Sequence, residues 1–252
     1  MCSAMTLLLL LFLFALGLVV PSVNSKQLPP YITPCRKSDP NLNECAKQRG
    51  NDAIPFLIRG DKAYKIPSFD PAHISLVDVD QGELKFKLKD MHMTGLNTTQ
   101  ILDAKLDFKN KHFYFKVFID ETKVVSRYEV SGKVASIAIE GEGPAEIIST
   151  NITVEYFFDY DLITKKDGKQ YFNLDTLKSN LTAHVEKTHY NFGNLFGGNK
   201  LLGDNFNKFL NENTHELEDS AGKSNREIIN AIVSSVFQGI FKNVSFDEMF
   251  LD

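Results

Sequence analysis

The chain has 252 residues, 43% hydrophobic and 24% charged, with a formal net charge of −4. That composition suits a folded globular protein and excludes a general attraction to nucleic acid or to an anionic membrane surface. The 28 Lys and Arg are dispersed among 32 Asp and Glu.

Met5 to Val20 is an uncharged apolar run, followed by the small residues Val23 and Ser25 ahead of Lys26. Residues 1–25 therefore read as a secretory signal peptide, and 26–252 as one extracellular domain. The run is short for a transmembrane helix and no second run is long enough, so no stable membrane insertion is expected. Cleavage removes Cys2 and leaves Cys35 and Cys45, an even pair suited to an oxidising compartment. A bridge between them closes a loop of about ten residues, worth roughly 2–3 kcal/mol in the chain-entropy model. Sequons at Asn97, Asn151, Asn180 and Asn243 are glycan acceptors where exposed.

After a polar lead-in, Asp39-Pro40 predicts an N-cap with Pro at the first helical position. The short helix that follows is expected to bend at Pro55 and end at Gly60. From about residue 64 the apolar period becomes two. Leu84, Phe86 and Leu88 alternate with Lys85, Lys87 and Lys89, which read as a solvated strand face. Phe113, Phe115 and Val117 repeat the pattern, as do Ile148 to Tyr160 and Leu181 to Val185. Such alternation predicts half-buried antiparallel strands. Turns are expected at 120–121, 131–132, 141–144 and 166–168, where acidic, Gly and Pro residues cluster.

Beyond Asn199 the period changes to three and four: Leu202, Phe206, Phe209, Leu210, Leu217, Ile228, Ile232, Val236 and Ile240 form one stripe. An unbroken helix over 199–243 would be roughly 65 Å long. Gly222, followed by the capping-box spacing of Ser224 and Glu227, predicts a kink near 222–224. A stripe this wide needs a long partner surface, and the strands upstream are the candidate. The pattern alone leaves a plain core helix or a helical hairpin open. The order of helix, strands and long helix places the chain in the α+β class.

Catalytic and metal signatures are weak. His184 and His189 are the closest histidines, but five apart on a strand they face opposite sides. Neither a zinc-protease motif, a nucleophile elbow nor a dinucleotide fingerprint is present. No enzyme activity, cofactor or metal site is expected. The 20 Phe against no Trp suit both a ligand cavity and a close-packed core.

An ordered set of segments then carries a resemblance. Pro30-Tyr31-Ile32, Phe56-Leu57-Ile58-Arg59-Gly60, Ile66-Pro67-Ser68-Phe69-Asp70-Pro71 and Met93-Thr94-Gly95-Leu96 come first. Gly141-Glu142-Gly143, then Asn194 through Gly203, Asn207 and Leu210-Asn211-Glu212-Asn213 follow. Together they resemble the insect takeout and juvenile-hormone-binding protein family across the whole mature chain. The resemblance implies a long curved helix wrapped by a highly bent antiparallel sheet, the tubular lipid-binding type. It also implies a Cys35–Cys45 bond near one end. No cysteine follows Cys45, whereas haemolymph juvenile-hormone carriers have a later pair, which sets the chain nearer the takeout branch.

The resemblance implies a secreted carrier that holds a small hydrophobic ligand, such as a terpenoid or fatty acid, in the tube. The helical candidates for its wall are Phe206, Leu210, Leu217, Ile228, Ile232 and Val236. The strand candidates are Phe86, Leu88, Phe115, Val117, Val154 and Tyr156. The alternative is a secreted signalling protein whose tube is filled by its own side chains and whose partner is an unidentified receptor. A monomer is expected in either case.

Overall fold

The structure, a computed structural model, describes residues 26–81, 83–134 and 137–252; the side chains at 79, 81, 134 and 215–225 are outside the description. The signal-peptide reading of 1–25 falls outside the described residues.

A short strand β1 (Cys35–Arg36) leads into helix α1 (Leu42–Arg59). Asn41, not Asp39, is the N-cap; Asp39 Oδ1 instead accepts from the Asn41 amide at 2.8 Å. The helix starts two residues later than the sequence suggests because this turn occupies the Asp39 carboxylate. Pro55 lies inside α1, which continues to Arg59, and Gly60 ends it at φ 84°. Cys45 on α1 is bonded to Cys35 on β1, S–S 2.07 Å.

Six strands follow in one sheet: β2 (Ala72–Gln81), β3 (Leu84–Thr94), β4 (Gln100–Asp107), β5 (His112–Val134), β6 (Ile137–Asp159) and, after a small hairpin β7 (Leu162–Thr164) and β8 (Gln170–Phe172), β9 (Lys178–Phe192). The order is β2-β3-β5-β6-β9, all antiparallel. β4 pairs with the first half of β5 while β3 pairs with the second half. The sheet is open, and its edge strands are β2, β4 and β9.

Three expected turns lie inside strands. Residues 120–121 and 131–132 belong to β5, and 141–144 to β6; 166–168 does connect β7 to β8. The glycines serve close approach instead. A Cβ on Gly143 would sit 2.4 Å from the Gly193 carbonyl oxygen, where the chain after β9 crosses β6. Gly132, at φ 124°, meets the Glu83 carbonyl in the same way.

The face of the sheet also changes phase. On β3 the inward residues are Leu84, Phe86 and Leu88, then Met91 and Met93; Asp90, at φ 51°, supplies the slip. On β5 they pass from Phe113 and Ile119 to Thr122 and Val124, and on β6 from Ile147 and Ser149 to Ile152 and Val154. The β5–β6 register continues through this row, so both strands change face together around Asp120 and Asn151, the latter at φ 52°. β9 follows, from Leu181, Ala183 and Val185 to Thr188 and Tyr190.

The long C-terminal stretch is two helices, α2 (Lys200–Glu212) and α3 (Thr214–Val236), then a π-helical turn over Phe237–Phe241. The break falls at Asn213, not at 222–224, which lie within α3. Asn213 ends α2 by donating its backbone N–H to Phe209 O and Leu210 O and its side-chain amide to Phe209 O at 2.8 Å. A mid-helix Gly costs about 1 kcal/mol, which a helix of 23 residues absorbs. α4 (Phe246–Met249) and β10 (Phe250–Leu251) close the chain, β10 pairing with β1.

Asparagines cover two of these edges, those of β9 and β4. Asn207 on α2 accepts from Phe192 N and donates to Phe192 O, each at 2.9 Å. One turn on, Asn211 does the same for Tyr190, at 2.7 and 2.9 Å. On the β4 edge, Asn51 of α1 bonds the N–H and C=O of Ile101 at 2.7 and 3.0 Å, and Asn43 accepts from Leu106 N at 2.9 Å. These side chains satisfy strand groups that would otherwise be orphaned under a helix.

Candidate ligand cavity

The inner face divides into two packed regions. At one end Phe113, Phe158, Tyr160, Phe172, Phe237 and Phe246 pack ring on ring. Phe172 lies 4.8 Å from Tyr160 and from Phe241, and Phe158 lies 4.9 Å from Phe237. At the other end the residues are mostly aliphatic, and they leave a cavity of about 320 Å³.

Each wall is one face of one element. β3 contributes Leu84, Phe86, Leu88, Met91 and Met93; β5 contributes Ile119, Thr122, Val124, Tyr128 and Val130. β6 adds Ile139, Ile147, Ser149, Ile152 and Val154, and β9 adds Ala183, Val185, Thr188, Tyr190 and Phe192. Phe206 and Leu210 reach in from α2, and Ile228, Ile229 and Ile232 from α3. The paired asparagines hold the α2 residues in place, because Phe206 adjoins Asn207 and Leu210 adjoins Asn211. Leu195 seals one end: it is 2% exposed, on a segment whose Gly193 carbonyl accepts from the Tyr128 hydroxyl at 2.8 Å. Burial pushes the Tyr128 phenol up to about 12.

Seven of the sequence candidates line this cavity: Phe86, Leu88, Val154, Phe206, Leu210, Ile228 and Ile232. Four do not. Phe115, Tyr156 and Val236 pack into the aromatic region, and Val117 shares the β5 face with Phe115 without reaching the cavity. Strand alternation finds the face of a residue and not its distance along the tube. The side chain of Leu217 lies outside the described residues. The sequence reading missed Met91, Thr122, Ser149 and Thr188, because the phase slips put them inward out of step with their neighbours. Asn207 and Asn211 carried a legible signal, two asparagines four apart beside the apolar stripe.

Among the described residues no charged side chain lines the cavity. On the outer face, β2–β3 register brings His73 beside His92, with Asp90 between them. His73 Nε2 lies 2.8 Å from Asp90 Oδ1, a bond that holds the exposed Asp90 carboxyl below the usual carboxylate range. The sequence reading looked at His184 and His189 instead, because pairing across strands is invisible to spacing along the chain. The sequon asparagines Asn97, Asn151 and Asn180 are exposed, whereas Asn243 is half-buried and donates its amide to Gln238 O and Gly239 O.

A bent, open antiparallel sheet folded over a long helical stretch, with an apolar cavity between, is the tubular lipid-binding type of fold. The chain belongs to the haemolymph juvenile hormone binding protein (JHBP) family, whose model matches residues 8–251. It is similar to the circadian clock-controlled protein daywake of Drosophila melanogaster, 21% identical over 237 residues that cover 90% of this chain and 89% of that protein. Daywake of Drosophila yakuba is likewise 21% identical, over 86% of this chain and 87% of its own length. The crystal structure of Epiphyas postvittana Takeout 1 superposes with a TM-score of 0.76 at 23% identity, covering 88% of this chain and all of that one.

Proposed function

We propose that the chain is a secreted, non-enzymatic carrier of a small hydrophobic molecule, held between the sheet and helices α2 and α3. The observation that carries this reading is the apolar cavity of about 320 Å³ beside a region of packed aromatic rings. That volume lies at the small end of the range for ligand pockets, and the lining is apolar with a few placed hydroxyls, as ligand sites are. Burial at roughly 25 cal/mol per Å² of apolar surface would supply the affinity. The Cys35–Cys45 bond and the apolar leader support passage through an oxidising compartment. No described helix is long and apolar enough to cross a membrane. Cleavage before Lys26 belongs to the same reading, with a glycan on at least one of the exposed Asn97, Asn151 and Asn180, and Asn243, half-buried, the weakest of the four candidates.

The competing reading is a tube filled by its own side chains, a description that draws its support from the aromatic end. Organic extraction of the purified chain followed by mass spectrometry separates the two. A carrier releases a stoichiometric apolar molecule, or takes one up after delipidation; a signalling protein with a filled tube does neither.

A further inference from the structure

Besides the two tyrosines, two threonines and a serine interrupt the apolar wall in one straight row. Thr122 on β5 is the register partner of Ser149 on β6, and Ser149 is the partner of Thr188 on β9. All three line the cavity. Thr122 and Thr188 are 8% and 5% exposed, and Ser149 Oγ lies 3.3 Å from Thr188 Oγ1. The row is set by the phase change in the three strands. Apolar residues flank it on both sides, Ile119, Ile152 and Val185 toward the aromatic end and Val124 and Ile147 away from it, where β9 presents the Tyr190 ring.

An apolar face does not need hydroxyls here, since Val would fill the Thr sites equally well. Burying a hydroxyl costs free energy that a hydrogen bond must offset. A hydroxyl both donates and accepts, so the row can donate to a neutral oxygen that reaches it. With no cation in the described lining, a ligand carboxylate placed here would be an unpaired buried charge, which is strongly unfavourable.

Resting on the carrier reading, we infer that the cavity selects an uncharged chain molecule with one oxygen acceptor part-way along its length. The carbonyl of a ketone is the simplest case. Its two apolar arms lie on either side of the row, and its oxygen is held by Thr122 and Ser149, with Thr188 orienting Ser149.

The test is displacement of bound phenylnaphthylamine from the delipidated chain by three competitors of equal length: tetradecane, a mid-chain tetradecanone and myristate. The expected order places the ketone about ten-fold tighter than the hydrocarbon, the effect of roughly one hydrogen bond, with myristate weaker than the ketone. In the Thr122→Val/Ser149→Ala variant the preference for ketone over hydrocarbon should fall to near even, while Thr122→Ser retains it. A preference unchanged in the double variant, or myristate binding more tightly than the ketone, overturns the inference and leaves the carrier reading standing. Failure of the probe and of every competitor to bind wild type removes the carrier reading, and this inference with it.

Discussion

The two ends of the tube are built from the same strands and differ in what fills them. β5 begins at Phe113 among rings and continues past Thr122 and Val124 along an open cavity; β6 runs the opposite way, from Ile139 to Phe158. Rings spaced 4.6 to 6.5 Å apart fill the first end. Val, Ile and Met side chains, too short to meet across the second, leave space beside Phe206 and Leu210. The aromatic end also holds what ties the termini down: β10 paired with β1, and the disulfide to α1. Ring packing and the disulfide lie at one end and the cavity at the other.

The comparison breaks most visibly under truncation. Phe158 is 0% exposed within the ring cluster, so Phe158→Ala should cost about 3–5 kcal/mol in urea melts. Ile152→Ala, on the cavity wall, should cost less, about 2 kcal/mol, because it enlarges an existing space rather than opening one in dense packing. Equal losses at the two sites would show that the cavity end is packed as tightly as the other.

Next in size is the seam between α2 and β9. Asn207→Ala removes both bonds to Phe192 and leaves strand groups unpaired under the helix, a cost of about 1–3 kcal/mol. Hydrogen exchange should then rise at Phe192, and affinity for an apolar probe should fall as Phe206 loosens. Unchanged exchange there would mean that the asparagine bonds do not anchor the helix.

The smallest effect is alkaline. Tyr128 is held neutral by burial, with its folded value raised to about 12 against an ordinary phenol near 10. Its contribution is therefore fully present below about pH 10 and is lost as pH rises toward 12. Tyr128→Phe should cost about 1 kcal/mol at neutral pH through the lost bond to Gly193 O. The variant should also lose less stability than wild type between pH 10 and 12. Parallel pH–stability curves would contradict the assignment.

Much of this architecture was legible in the chain. Alternation located the strands, the three-and-four stripe located the helices, and the ordered family segments supplied the bent-sheet topology that periodicity alone leaves open. The unread part has particular causes. Gly132, Gly141 and Gly143 look like turn residues because close backbone approach demands the same residue as a turn. Asp90 and Asn151 shift strand phase through positive φ, which composition does not announce. Phe115 and Phe86 are equivalent in pattern, yet the first packs against the core cluster at the aromatic end and the second lines the cavity. That distinction arises from pairing between strands distant in sequence.

The most direct measurement is a titration of the delipidated chain with a fluorescent apolar probe, run beside thermal melts of wild type and Ile232→Trp. Ile232 lines the cavity from α3. A ligand-holding tube predicts micromolar or tighter binding by wild type, loss of that binding in Ile232→Trp, and a melting temperature close to wild type because the indole occupies existing space. No binding by wild type, together with a variant destabilised by the 1–3 kcal/mol of an overpacked core, would contradict the account.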